Sequence, residues 1–190
     1  MGVNGGIEME SANLIIREST FSDCRLFAEW EKKPYVTDAF TMSSQRDYEE
    51  IAKEYAIRTQ QKDKLQFTIV HREADKPIGR VYISRIDTYY DSLDITRIYI
   101  GEEEFLGKGY GEEALRLLLE YCFINMHMER VTVEYLLDCE KAEALCSKIG
   151  FQKEGILRNA GKKEGRYVNL CSTSMLRAEY FEKCSRRVMF

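Results

Sequence analysis

Leu106-Gly107-Lys108-Gly109-Tyr110-Gly111-Glu112-Glu113-Ala114 is the stretch on which the reading of this chain turns. Three alternate glycines permit backbone conformations closed to other residues and leave no side chains in the way. An apolar set follows at helical spacing, Ala114, Leu115, Leu118, Cys122 and Met126, so the turn opens a helix running from Gly109 to His127. Amide groups at a helix start lack intrahelical partners and lie at the positive end of the dipole, which suits a diphosphate, and Lys108 adds a cationic contact. A plain connecting turn is the alternative reading.

Downstream, Val131, Val133 and Tyr135 alternate as a strand, and Ala142, Leu145, Cys146 and Ile149 return to helical spacing. Asp138 is the expected cap of that helix and Gly150 its expected end, with strands at Phe151 to Gly155 and Tyr167 to Leu176 completing the sheet. Upstream, Asn13 to Glu18 reads as a strand and Thr20 to Trp30 as a helix. Lys33 to Ser43 shows little period, and a second helix is expected from near Ser44 to about Gln60. Leu65 to His71 and Ile78 to Ile86 form an expected hairpin, extended by Leu93 to Ile100 into an antiparallel meander. These elements predict a single α/β (α+β) domain over 13–180, with tails at 1–12 and 181–190. Its sheet is mixed and mostly antiparallel, of six to seven strands flanked by about four helices.

A chain of 190 residues, 44% hydrophobic and 32% charged, fits one globular domain that buries roughly 70% of its unfolded surface without metal or disulfide support. Its six cysteines form no CxxC pair and no metal-ligand spacing, so they read as reduced thiols with no metal site. A net charge of −4 gives no long-range attraction for nucleic acid. No apolar run reaches the length of a membrane span, and Met1-Gly2-Val3-Asn4-Gly5-Gly6 lacks a signal core and the Ser or Thr that a myristoylation motif wants at position 6. The expected location is the cytoplasm.

The phosphate ligand is the harder question. No Gly-Lys-Ser/Thr follows, so the Walker pattern is absent. Gly109-x-Gly111-x-x-Ala114 fits a dinucleotide fingerprint, with Glu134 as a ribose acceptor. That fingerprint begins at a strand end, whereas eight residues separate Ile100 from Gly109 and the upstream elements form a meander rather than βαβ units.

Two separated segments, in order, resemble the GNAT acyltransferase superfamily, over about Asn13 to Leu176. The first, Tyr99-Ile100-Gly101-Glu102-Glu103-Glu104-Phe105-Leu106-Gly107-Lys108-Gly109-Tyr110-Gly111, is similar to the family's strand and Arg/Gln-x-x-Gly-x-Gly/Ala pyrophosphate loop, with Leu106 in place of Arg or Gln. The second, Cys139-Glu140-Lys141-Ala142-Glu143-Ala144-Leu145-Cys146-Ser147-Lys148-Ile149-Gly150-Phe151 and then Glu154-Gly155, resembles the Asn-x-x-Ala/Ser-x-x-x-Tyr-x-Lys-x-Gly-Phe motif. Here Cys139 replaces the Asn that often contacts pantetheine, and Cys146 replaces the Tyr often taken as general acid. The pattern is nearest the Rim-type ribosomal-protein and amino-sugar acetyltransferase branch.

The resemblance implies transfer of acetyl from acetyl-CoA to a primary amine by direct attack, with a protein N-terminus, an amino sugar or a small amine as acceptor and no metal. It implies a splay between the strand ending at Ile100 and the strand Val131 to Tyr135. Backbone at Ile98, Tyr99 and Ile100 would align pantetheine, Leu106 to Gly111 would hold the diphosphate, and Cys139 and Cys146 would lie along the arm. Amines need a base: Asp94, Glu134 and the Glu102 to Glu104 cluster are candidates, and Cys146 is a candidate acid. Trp30, Tyr35 and Phe40 would wall the acceptor site or else pack beneath that loop, and Glu29, Glu31 and Asp38 would hold a cationic acceptor there or else lie exposed at the surface. His71 and His127 read as capping or solvent-contact residues. Two other classes stay open, a non-catalytic acyl-CoA-binding or sensing module and a Rossmann-type dinucleotide binder; the acceptor identity is not encoded, and a homodimer is compatible with the sequence.

Overall fold

The computed structural model describes residues 6–41 and 46–188. The expected helix start at Ser44 and the Met1-Gly2 motif lie outside the described residues. In chain order the elements are β1 (Glu8–Glu10), β2 (Leu14–Glu18), α1 (Cys24–Trp30), α2 (Pro34–Thr37), α3 (Tyr48–Thr59), β3 (Leu65–His71), β4 (Lys76–Asp87) and β5 (Ser92–Ile100). There follow α4 (Tyr110–Glu120), β6 (Arg130–Leu136), α5 (Glu140–Ile149), β7 (Gln152–Lys163), β8 (Arg166–Leu176) and α6 (Arg177–Val188).

One eight-stranded sheet has the order β1-β2-β3-β4-β5-β6-β8-β7. Every neighbouring pair is antiparallel except β5 with β6. A single parallel pair is not the repeated βαβ winding of a dinucleotide-binding fold, which removes the Rossmann alternative. The strand and helix counts exceed expectation because β1 and α6 occupy segments read as tails, and because α2 is a short helix opened by Pro34 at its start.

Strands β3, β4 and β5 are buried along almost their whole length, since helices cover both faces. On one face Phe67, Ile69, Val81, Ile83 and Ile95 pack with Leu115, Leu118 and Cys122 of the α4 segment. On the other, Tyr99 packs with Phe27, Trp30 and Ile51 from α1 and α3. The polar positions of the meander face this second layer. There Glu31, expected at the surface, is fully buried and accepts from Arg80 at 2.7 Å, Arg46 at 3.1 Å, Arg97 at 3.3 Å and the Tyr99 hydroxyl at 3.1 Å. Burial alone raises its pKa, but the guanidiniums of Arg97, Arg80 and Arg46 outweigh this and hold the carboxyl below its ordinary value.

The β7–β8 hairpin is longer than expected and turns at Glu164 (φ 48°) and Gly165 (φ 80°), the two left-handed residues of a tight two-residue hairpin loop. Lys163, near its tip, donates to the carbonyls of Thr37 (3.2 Å) and Asp38 (2.9 Å) at the end of α2. The hairpin and α2 thus lean together over one end of the β5–β6 gap. Cys139, not Asp138, is the N-cap of α5, and Gly150 closes that helix at φ 105°.

Candidate active site

The parallel pairing of β5 and β6 covers only Ser92, Leu93 and Asp94 against Arg130, Val131 and Thr132. Beyond that rung the strands diverge, leaving the edge of β5 from Ile95 to Ile100 without a neighbour strand. Two bulges accompany the divergence. Thr96 is an extra residue on β5 opposite the Tyr82–Ile83 step, and Arg85 with Ile86 on β4 opposes Leu93 alone. Arg85 itself is left-handed, at φ 55°.

At the far end of β5 the chain passes a short 3-10 turn, Glu103–Phe105, and enters the glycine loop. Gly107 (φ 70°) and Gly109 (φ 86°) are left-handed, which explains both glycines. Gly109 is the N-cap of α4 and supplies no side chain to the helix start. Among the described residues, no protein acceptor is found for the amides from Gly107 to Glu112, whereas Glu113 N–H bonds the Gly109 carbonyl at 3.0 Å. A Cβ placed on Gly107, Gly109 or Gly111 meets nothing within 4 Å. Unpaired amides facing open space at a helix N-terminus fit a diphosphate. His71 holds the loop at both ends: its ring lies 4.9 Å from Phe105 and its Nε2 is 3.0 Å from the Tyr110 hydroxyl.

A cleft of about 430 Å³ runs from this loop into the splay. Ile98, Tyr99, Ile100, Leu106, Gly107, Gly109, Tyr110 and Gly111 line it on one side, and Val133, Glu134, Tyr135, Cys139, Leu145 and Cys146 on the other. The loop, the free strand edge and the α5 face therefore meet in one channel. Tyr35 and Phe40 also line it, whereas Trp30 is fully buried against Gly101 and donates Nε1–H to Glu102 at 2.7 Å. Lys108 lies outside the lining, its Nζ 5.5 Å from the centre of the Phe105 ring. Glu102 and Glu104 are ion-paired with Lys76, away from the cleft.

Burial pushes the Cys146 thiol up to about 11. Burial also raises Tyr135, whose hydroxyl contacts Cys171, so this cleft phenol stays protonated near neutrality.

A second cavity, of about 360 Å³, adjoins the cleft and shares Ala39, Phe40, Thr96, Glu134 and Tyr135 with it. Asp94 lies here, almost fully buried. Its Oδ1 accepts from Thr96 at 2.6 Å, and its Oδ2 accepts from Thr132 at 2.9 Å and from Arg85 Nη2 at 2.9 Å. The same Nη2 reaches Glu134 Oε1 at 3.2 Å. Thr96 and Arg85 escaped the sequence reading, because bulges re-aim side chains away from the simple alternation on which that reading rests.

The family model "Acetyltransferase (GNAT) domain" matches residues 13–152. An N-acetyltransferase of Bacillus licheniformis called p20 is 27% identical over 173 residues, covering 88% of this chain and 94% of that protein. The N-acetyltransferase YnaD of Bacillus subtilis is 22% identical over 177 residues, covering 92% and 99%. Among solved structures, the spermidine N-acetyltransferase of Vibrio cholerae in complex with CoA and spermine superposes with a TM-score of 0.81 at 20% identity, over 90% of this chain and 99% of that one. With the family match spanning most of its length and a cleft that fits the thioester donor, this chain belongs to the GNAT family of acetyltransferases, which draw their acyl group from acetyl-CoA.

Proposed function

We propose that the chain acetylates a primary amine that enters through the cavity holding Asp94 and Glu134. The observation that carries this reading is the meeting of two openings at Thr96, Glu134 and Tyr135, one leading to the glycine loop and one lined by carboxylates. An amine in the second is aimed at a thioester in the first. The structural likeness to a protein solved with CoA and spermine supports an amine acceptor.

Acetyl-CoA supplies the activated acyl group as a thioester. The amides of Gly107 to Glu112 hold the diphosphate, and the free edge of β5 at Ile98 to Ile100 aligns the pantetheine arm as an added strand would be aligned. That edge also offers an N–H to the carbonyl oxygen as charge develops on it. An alkylamine has a pKa of about 10.4, so a proton must leave. That proton leaves to water and frees the lone pair; Glu134 takes the next one through Oε2, the oxygen not engaged by Arg85, as the nitrogen–carbon bond forms and the nitrogen grows acidic. Asp94, with both oxygens engaged, positions the fork instead. A thiol of pKa about 8.5 leaves as thiolate, and Cys146, a weaker acid than the group it would protonate, serves as wall.

The test is release of free CoA thiol across a panel of N-terminal peptides, polyamines, amino sugars and simple amines. Saturable release with at least one class is expected, and Glu134→Gln should lower kcat by about 100-fold, within the usual range for loss of a general base. Binding of acetyl-CoA with no release for any amine would overturn the reading in favour of a non-catalytic acyl-CoA-binding module.

A further inference from the structure

Arg85 stands between the two carboxylates of the acceptor-side cavity, and its geometry is unusual for a structural ion pair. It is a non-glycine residue held left-handed, a conformation that costs free energy and persists only where surrounding structure imposes it. The bulge on β4 turns its side chain across β5 to Asp94 and on to Glu134 of β6. The arginine side chain is nonetheless 60% exposed, so the guanidinium is bonded through Nη2 and open to water on its other side. Its position, within 3.2 Å of carboxylates on both splayed strands, is where the cationic group of an entering acceptor would be held.

We infer that Arg85 is a built-in competitor for that position and determines the charge of the acceptors this site takes. This rests on the acceptor-side reading above. With Arg85 in place, two carboxylates and one guanidinium leave the cavity with a net charge of −1. It accommodates an acceptor bearing a single ammonium, which releases its proton on reaction. An acceptor with a second ammonium must displace the guanidinium or lie beside it. Removing the guanidinium leaves two unneutralised carboxylates and favours the second ammonium.

The experiment compares kcat/KM for 1,4-diaminobutane and butylamine, two acceptors matched in chain length, in the wild-type protein, Arg85→Gln and Arg85→Lys. At separations of about 4 Å a unit charge near a protein surface is felt strongly, so Arg85→Gln should raise the diamine-to-monoamine ratio at least about tenfold, chiefly through KM. The gain should shrink as salt rises. Arg85→Lys keeps the cation and should stay near the wild-type ratio. An unchanged ratio in Arg85→Gln, or an equal loss for both acceptors, overturns the inference while leaving amine acetylation intact. Absence of turnover by the wild-type protein with every amine removes the acceptor reading and this inference with it.

Discussion

The Asp94 carboxylate accepts a 2.9 Å hydrogen bond from the Thr132 hydroxyl across the last paired rung between β5 and β6, and the strands part immediately beyond it. This contact lies at the last rung before the splay. Asp94→Asn keeps the shape but gives up charge-assisted bonds to Thr96 and Thr132 and the ion pair with the largely exposed Arg85. It should cost about 1–3 kcal/mol in denaturant unfolding, with the ion pair itself contributing little of that. The KM for acetyl-CoA should rise with it. Unchanged stability would show that the fork does not depend on this carboxylate.

Glu31, at the end of α1, is tied to the sheet by Arg80 and Arg97 and to the start of α3 by Arg46. Glu31→Gln leaves the Arg80 and Arg97 guanidiniums buried without their counter-charge, while Arg46 keeps Glu54, and should cost about 3–5 kcal/mol. The pH dependence has a defined sign. Glu31 and Asp23 both sit below their ordinary pKa: burial raises Asp23, but bonds from Arg17 and the Thr20 amide outweigh it. A depressed folded-state value means the stabilisation is complete above the unfolded pKa, about 4, and is lost as pH falls through the folded one. The melting temperature should therefore be flat from pH 5 to 7 as far as these groups are concerned, and fall steeply below about pH 4. The fall should be shallower in Glu31→Gln, and an equal slope would contradict the assignment.

Much of this fold was legible because its signals are local. The glycine spacing before Ala114 and the helical period from Ala114 to Cys122 lie within a few turns, as does the alternation of Val131 to Tyr135. Strand β7 was cut short at Gly155 because Asn159-Ala160-Gly161-Lys162-Lys163 carries no alternation; it is an edge strand exposed along most of its length, so burial writes no pattern into it. The Glu31 cluster was invisible for another reason. Its arginines come from 15, 49 and 66 residues away, and no spacing in the chain announces that they converge. The channel residues of the glycine loop followed from backbone chemistry, whereas Arg85 and Thr96 depend on bulges that only the three-dimensional register reveals.

Cys139 caps α5 without a side-chain bond to the helix start. Cys139→Asn should supply that bond and stabilise the protein by about 0.5–1 kcal/mol. On the pantetheine reading it should also lower the KM for acetyl-CoA severalfold. A gain in melting temperature without any change in KM would separate the cap from the cleft.

Cys146 should be dispensable for chemistry. Cys146→Ala removes a small buried side chain and should lower stability slightly while changing kcat by less than about threefold, since a thiol raised to about 11 gives little acid assistance. A loss of kcat beyond 100-fold with an unchanged fold would return it to the list of acids.

The account depends most on the amides of Gly107 to Glu112 gripping a diphosphate. Gly111 is the glycine of the loop without a left-handed φ, and a side chain there meets only open space, so Gly111→Val should fold with its melting temperature close to wild type. Calorimetric titration with acetyl-CoA is the direct measurement. The valine should occupy the place of the phosphates and weaken binding at least about tenfold, or 1.4 kcal/mol. A folded Gly111→Val protein that binds acetyl-CoA with wild-type affinity would contradict the central claim.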